Sequence, residues 1–419
     1  MTNSDNKRKK IINVPPLRFP GFSDEWKRIK VSELLDFYST NSLSWDMLNY
    51  DGGEIKNLHY GLIHSGLPTL VDVSKDSLPF VNEASTPKKY TLCKEGDVAF
   101  ADASEDTNEV GKVVEFLNTN GENIISGLHT IHGRDKSDTT VTGFKGYAFS
   151  SMPFHHQIRR IAQGTKIYSI STKTFDEVYI GVPTKDEQAK IARLLQLLDE
   201  RISTQHKIID NLQSLIKGLI QRLSQEGLAN RRWQKISLSE ILTERNELNA
   251  DYLPVHSVSV SAGVVNQVEY LGRSFAAKDT AHYHVVYNGD IVYTKSPTGN
   301  QPFGIVKQSH CMTPVAVSPL YGVYQPHSFE VGNYLHYYFL NPLNTNNYLS
   351  PLIQKGAKNT INISNQRFLE NRIPLPIDEM EVKLVSDSLS ALDKKLMLEF
   401  TVLTSLKRQK NFLLRNLFI

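Results

Sequence analysis

Three short markers occur twice in the same order, and this duplication constrains the fold more than any other feature of the chain. WKRIKVSELL (Trp26 to Leu35) returns as WQKISLSEIL (Trp233 to Leu242), with Trp, Ile, Ser, Glu and the final Leu unchanged. GDVAF (Gly96 to Phe100) returns as GDIVY (Gly289 to Tyr293), each followed at the same offset by another glycine, Gly111 or Gly304. GTK at Gly164 to Lys166 returns as GAK at Gly356 to Lys358, and each runs on through an Ile-Ser pair to a proline, Pro183 or Pro376. Ordered recurrence of this kind marks a tandem duplication. The repeated unit is a globular domain followed by a long helix.

The helices announce themselves by heptad spacing. Ile191, Leu195, Leu198, Ile202, Gln205, Ile209, Leu212, Ile216, Leu219 and Leu223 keep a strict four-three rhythm, the seam of a coiled coil. The tail repeats it at Val385, Leu389, Leu392, Leu396, Glu399, Leu403, Leu406, Lys410, Leu413 and Leu417. Thr184 with Glu187, just after Pro183, predicts a capping-box start, and Gly227 a stop. Each pattern runs about 40 residues, against about 11–12 for an ordinary core helix, so each helix is not simply the core helix of its own domain. Two such seams bury each other most economically by pairing antiparallel, as a spacer of roughly 60 Å.

Between the helical stretches the chain alternates short β-rich runs with turn signals. Val98 to Phe100, Lys112 to Phe116 and Asn123 to Ile125 are predicted strands of the first domain. Val255 to Val260, Val264-Val265, His284 to Tyr287, Ile291 to Tyr293 and Ile305-Val306 are those of the second. The fold class is therefore α+β, with mainly antiparallel sheets. The expected boundaries are a flexible, proline-bearing lead-in over 1–22, a first domain over 23–180 and its helix over 181–227. A second domain follows over 228–376, with its helix over 377–419.

Composition removes several classes. With 22% charged and 40% hydrophobic residues, the chain has the balance of a folded globular protein. Its two cysteines, Cys93 and Cys311, offer no disulfide framework or zinc cluster. No apolar run approaches the ~20 residues of a membrane span, and Lys7 to Lys10 precede no apolar stretch, so a cytoplasmic protein is expected. The net charge of +3 permits DNA binding without requiring it.

Catalytic and metal signals are weak. Asp102, Glu105, Asp106 and Glu109 could supply an acid–base pair, but the second copy has Lys295-Ser296-Pro297-Thr298 there, which favours a solvated loop. His129 with His132, and His282 with His284, have ligand-like spacing but lack further ligands, so core, surface or DNA-facing roles fit them better. There is no phosphate-binding glycine loop and no NPPY-like methyltransferase motif. That argues against a self-contained methyltransferase or nuclease; a coiled-coil scaffold protein is the other alternative.

RFPGFSDEW (Arg18 to Trp26), KVSELL, GDVAF, GTKIYSIS and GVPTKDEQAKIARLLQLLDERI (Gly181 to Ile202) together resemble the specificity subunit of bacterial type I restriction–modification systems. The resemblance extends from about Arg18 to Ile419, although its Glu-Gln signature survives only at Glu187-Gln188 and not in IDEMEVKLVSDSL (Ile377 to Leu389). It implies a non-catalytic DNA-reading subunit with two target recognition domains, one per half of a bipartite site, and helical spacers that set the gap. It also implies methyltransferase (modification) and restriction (endonuclease/translocase) subunits as partners. S-adenosylmethionine, ATP and Mg would then reside on those partners, with no cofactor on this chain.

Phosphates call for Lys and Arg, and base edges for polar side chains on loops. The DNA-contact candidates of the first domain are Lys88, Lys89, Arg134, Lys136, Lys145, Arg159, Arg160 and Lys166. Those of the second are Arg273, Lys278, Lys295, Ser296, Lys355 and Lys358. Lys166 and Lys358 hold equivalent places, as a shared phosphate contact would.

Overall fold

The computed structural model describes residues 13–273, 276–295, 297, 301–355 and 361–419. Two compact units result: the chain up to Gln205 together with Val402–Ile419, and His206–Thr401. The two long helices, Lys185–Ala229 and Glu379–Asn416, are each divided between the units. Each unit takes halves from opposite ends of the two helices, as antiparallel pairing requires.

In the first unit a five-stranded sheet runs in the order Leu35–Tyr38, Thr130–Asp135, Val98–Ala101, Val113–Asn118, Leu70–Asp72. Its first four strands are antiparallel and the last joins parallel. A second sheet orders Asn123–Ser126, Ile55–Leu58, Phe80–Val81 and Leu48–Asn49, with the first pair parallel. The second unit repeats the antiparallel core as Leu242–Glu244, Gly322–Pro326, Ile291–Tyr293 and Val306–Gln308. The expected strands are present. Parallel pairs interrupt the antiparallel pattern at Leu70–Asp72, at Asn123–Ser126 and where Val255–Ser259 meets Val315–Val317.

The tryptophan marker makes the ribbon that closes each unit. Lys27–Lys30 pairs with Tyr179–Val182, and Trp233–Ser237 with Arg372–Pro376. Each ribbon ties a domain's first residues to the strand that leads into its long helix.

Most heptad positions are buried or half-buried, but past Ile216 the buried face moves to Ile220 and Ser224, leaving Leu219 and Leu223 half-buried. Ile191, Leu195 and Leu198 share the first unit's core with Leu406, Leu413 and Leu417, and Ile202 packs on it half-buried. Lys410, one of the two breaks in the second seam, is accounted for by its ion pair with Asp199 at 2.6 Å. In the second unit Ile209, Ile216, Leu389 and Leu396 are buried, as is Leu403 in the first, while Leu212 and Leu392 are half-buried.

The lead-in departs from the flexible segment expected over 1–22, because residues 13–22 are anchored. Leu17 N–H donates to the Asn416 carbonyl at 2.9 Å. Arg18 grips buried Glu187 bidentately at 2.7 and 2.8 Å. Glu187 therefore serves Arg18 and not the predicted capping box. Gln188 stitches the helix start to the domain, accepting from Val141 N–H and donating to the Pro183 carbonyl, both at 2.9 Å.

Candidate nucleic-acid interface

A buried aspartate fixes the frame in each unit. Asp97 accepts two bonds from Arg134, at 2.8 and 2.7 Å, and one from His132 Nε2 at 2.7 Å. Burial raises its pKa, but Arg134 and His132 together outweigh burial and leave it lowered. Asp290 accepts from Arg245 at 2.8 and 3.2 Å. Burial prevails over Arg245 here and its pKa is raised.

Arg134 is thus part of the scaffold, stacked 4.8 Å over the Tyr38 ring, and not the free phosphate contact expected. Lys136 is similarly occupied by the Ser32 carbonyl at 2.9 Å and Asp36 at 3.6 Å. Lys145 is buried against Glu115 at 3.2 Å and cannot face DNA. The first histidine pair does not converge on one point. His132 points inward to Asp97 while His129 points outward, and no metal-ligating group of three or more His, Cys, Asp or Glu occurs among the described residues.

Beyond Ala101 the first unit builds its surface. Ala103–Ser104 pairs antiparallel with Tyr168–Ser169, and Gln163 and Ser169 exchange backbone bonds at 3.0 and 2.8 Å. Gly164 to Ile167 becomes a hairpin tip beside the loop. Gly164 has φ +134, and a Cβ there would lie 1.8 Å from the Ile167 carbonyl oxygen, so only glycine closes this turn. Lys166 and Ile167 stand exposed at the tip.

Next to the tip lies a cluster that the spacing of the histidines had left unassigned. Ile170 N–H donates to the Asp102 carbonyl at 2.9 Å, and Asp102 N–H donates to the His129 carbonyl at 3.1 Å. The Asp102 carboxylate meets His129 Nδ1 at 3.1 Å. Burial raises the Asp102 pKa, with His129 acting in the opposite direction. Tyr60 sets its ring edge-on to His129 at 5.2 Å and to His64 at 5.9 Å. His64 Nε2 reaches the Ala103 carbonyl at 3.1 Å. His59, whose pKa is lowered by burial, caps the helix Tyr60–Ser65 by accepting from Gly61 N–H.

The loop's acids are mostly engaged. Asp102 holds His129, Glu109 pairs with Lys112 at 2.8 Å, and Asp106 accepts from Asn108 N–H at 2.8 Å. Arg159 reaches the same loop at Asn108, 2.9 Å away, while Arg160 is exposed. Lys88 and Lys89 are exposed after the short turn Glu83–Ser85, with no ion pair among the described residues.

The second unit keeps the plan and changes the side chains. Thr294 N–H donates to the Ile305 carbonyl at 2.9 Å, and Ile305 N–H returns a bond to Thr294 Oγ1 at 3.0 Å. Gly304 (φ +107) closes the loop where a Cβ would strike the Thr294 carbonyl. Lys295 is half-buried, its pKa lowered by burial against the pull of Glu244. Gln354–Lys355 and Ile361–Asn362 form the counterpart hairpin. Ser296 and Lys358 lie outside the described residues. Arg273 and Lys278, after the helix Gln267–Leu271, are exposed.

The model of the type I restriction modification DNA specificity domain matches residues 23–214. The type I restriction-modification S subunit from M. genitalium shares the fold with a TM-score of 0.57 at 15% identity, covering 97% of this chain and 99% of its own. An HsdS subunit from Thermoanaerobacter tengcongensis aligns with a TM-score of 0.42 at 15% identity, covering 96% and 98%. No curated protein matches the chain significantly. No helix among the described residues is long and apolar enough to cross a membrane.

Proposed function

We propose, from the premise that the chain belongs through residues 23–214 to the type I restriction–modification DNA specificity family, that each unit reads one half of a bipartite duplex target. The chain is a DNA sequence-specificity subunit of such a system, and specificity subunits are not themselves catalytic. Supporting the bipartite reading is a like scaffold bearing unlike loops. The Asp97 and Asp290 frames recur, while the loop after each carries Asp102 and His129 contacts in one copy and Lys295 in the other. Sequence readers need that division, because phosphate contacts position a protein and loop side chains discriminate base edges.

Modification subunits would supply S-adenosylmethionine and the methyl-transfer machinery. Restriction subunits would supply ATP- and Mg-dependent cleavage, all in the cytoplasm. The paired helices would set the gap between half-sites. Replacing residues 233–358 by the corresponding domain of a relative should change one half of the methylated target and leave the other half intact. Lengthening the helix between Gly181 and Trp233 should alter only the gap. Methylome sequencing of cells expressing the chain with its partners reads both outcomes. A domain replacement that changes both halves at once would overturn the one-domain, one-half-site reading.

A further inference from the structure

We propose that His129, positioned by Asp102, reads one base pair of the first half-site by accepting a hydrogen bond from an exocyclic amine, N6 of adenine or N4 of cytosine. This rests on the DNA-reading function above and names a residue that performs it. An ionised carboxylate can only accept, so the 3.1 Å contact of Asp102 with Nδ1 puts the proton on that nitrogen. In the neutral ring Nε2 is then an acceptor, and the side chain is 50% exposed. An acceptor aimed at one strand's base edge in the major groove pairs with the amine of adenine or cytosine and is mismatched with the O6 of guanine or the O4 of thymine.

The backbone supports the assignment. His129 has φ +54, a left-handed conformation that non-glycine residues seldom adopt and that gathers at binding and active sites. The surroundings hold it there: its carbonyl is tied to Asp102 N–H and its ring is braced by Tyr60. Asp102 in turn borders the hairpin that carries exposed Lys166, so a base-directed acceptor adjoins a phosphate-directed cation. The second copy has Lys295 in the loop where the first has Asp102, so this reader belongs to one half-site only.

The test selects binding sites from a random duplex library with the full-length chain and with His129→Gly, which suits the left-handed backbone, and Asp102→Ala. The expected result is loss of preference at one position of the first half-site, by about tenfold for His129→Gly and less for Asp102→Ala. The second half-site should be selected as before, which also reports that the variants are folded. At the affected position, purine in place of adenine, or pyrimidin-2-one in place of cytosine, removes the amine. It should weaken the parent chain about tenfold and leave His129→Gly unchanged. Equal weakening of both, or an unaltered selected sequence in His129→Gly, overturns the assignment while the function stands. A parent chain that selects no sequence overturns both.

Discussion

The two repeats solve the same structural problems with different chemistry. On the strand beside the central one of the first unit, Glu115 is wholly buried, pairs with Lys145 at 3.2 Å and accepts from Gly146 N–H at 2.7 Å. At the equivalent strand position the second unit has Gln308, whose amide donates to the Gly289 and Phe329 carbonyls at 3.1 Å each. The aspartate frame is held by Arg134 from one strand in the first copy, but by Arg245 following a different strand in the second. The acid at the start of the long helix is gripped by Arg18 in one copy, while in the other Glu381 accepts from Arg232 and Trp233, each at 2.9 Å. What persists is the need to satisfy a buried polar group, and the partner is free to move. The glutamate's part in the Glu-Gln signature thus recurs in the second copy, whereas the glutamine's stitching does not.

The sharpest way to break this comparison is at the buried ion pair. Lys145→Met strands Glu115 without its cation and should cost about 3–5 kcal/mol, read by urea denaturation. Introducing the second repeat's glutamine and removing the cation, Glu115→Gln with Lys145→Val, should recover most of that loss, because the amide is neutral and its oxygen can still accept from Gly146 N–H. If the double variant is as unstable as the single one, the two solutions are not interchangeable.

A second contrast runs the other way. Lys307 is buried in the second unit where the first has Val114 at the corresponding strand position, and burial lowers its pKa from 10.5 to about 8 against the attraction of Asp393. The unfolded chain keeps this proton up to about pH 10.5 and the folded chain releases it near 8, so stability should rise with pH between those values. Below pH 8 the buried charge is a cost. Lys307→Met should stabilise the protein by about 1–3 kcal/mol at pH 7 and flatten the pH dependence of its melting between 8 and 10. An unchanged slope would mean that Lys307 is solvated in the folded state.

How much of this was readable in the sequence follows the range of the interactions. The heptads and the strand runs are local patterns; the strands appear where spacing put them, and the first seam holds as far as Ile216 before its buried face moves to Ile220 and Ser224. The Arg18–Glu187 clamp joins residues 169 apart, so the lead-in looked like a tail when it is a strap. Arg134 looked like a surface charge because Asp97, 37 residues away, is not visible as its partner in one dimension. The spacing of His129 from His132 says nothing of its role; its backbone twist and its bond to Asp102, 27 residues away, are what set its ring outward. A signal did exist for the first hairpin: the glycine of GTK stands where the tip has no room for a side chain.

The smallest effect separates holding from reading. Lys166 is exposed at the hairpin tip, with no ion pair among the described residues, beside the Asp102–His129 pair. A lone ammonium on a tip suits a phosphate better than a base edge, because it is a point charge without a directional pattern. Lys166→Ala should therefore weaken binding to every sequence alike and reduce the slope of log affinity against log salt by about one phosphate contact. The bases selected in either half-site should not change, in contrast to His129→Gly. Should Lys166→Ala instead alter which base is chosen, the hairpin reads sequence directly and the GTK tip is a reader in place of an anchor.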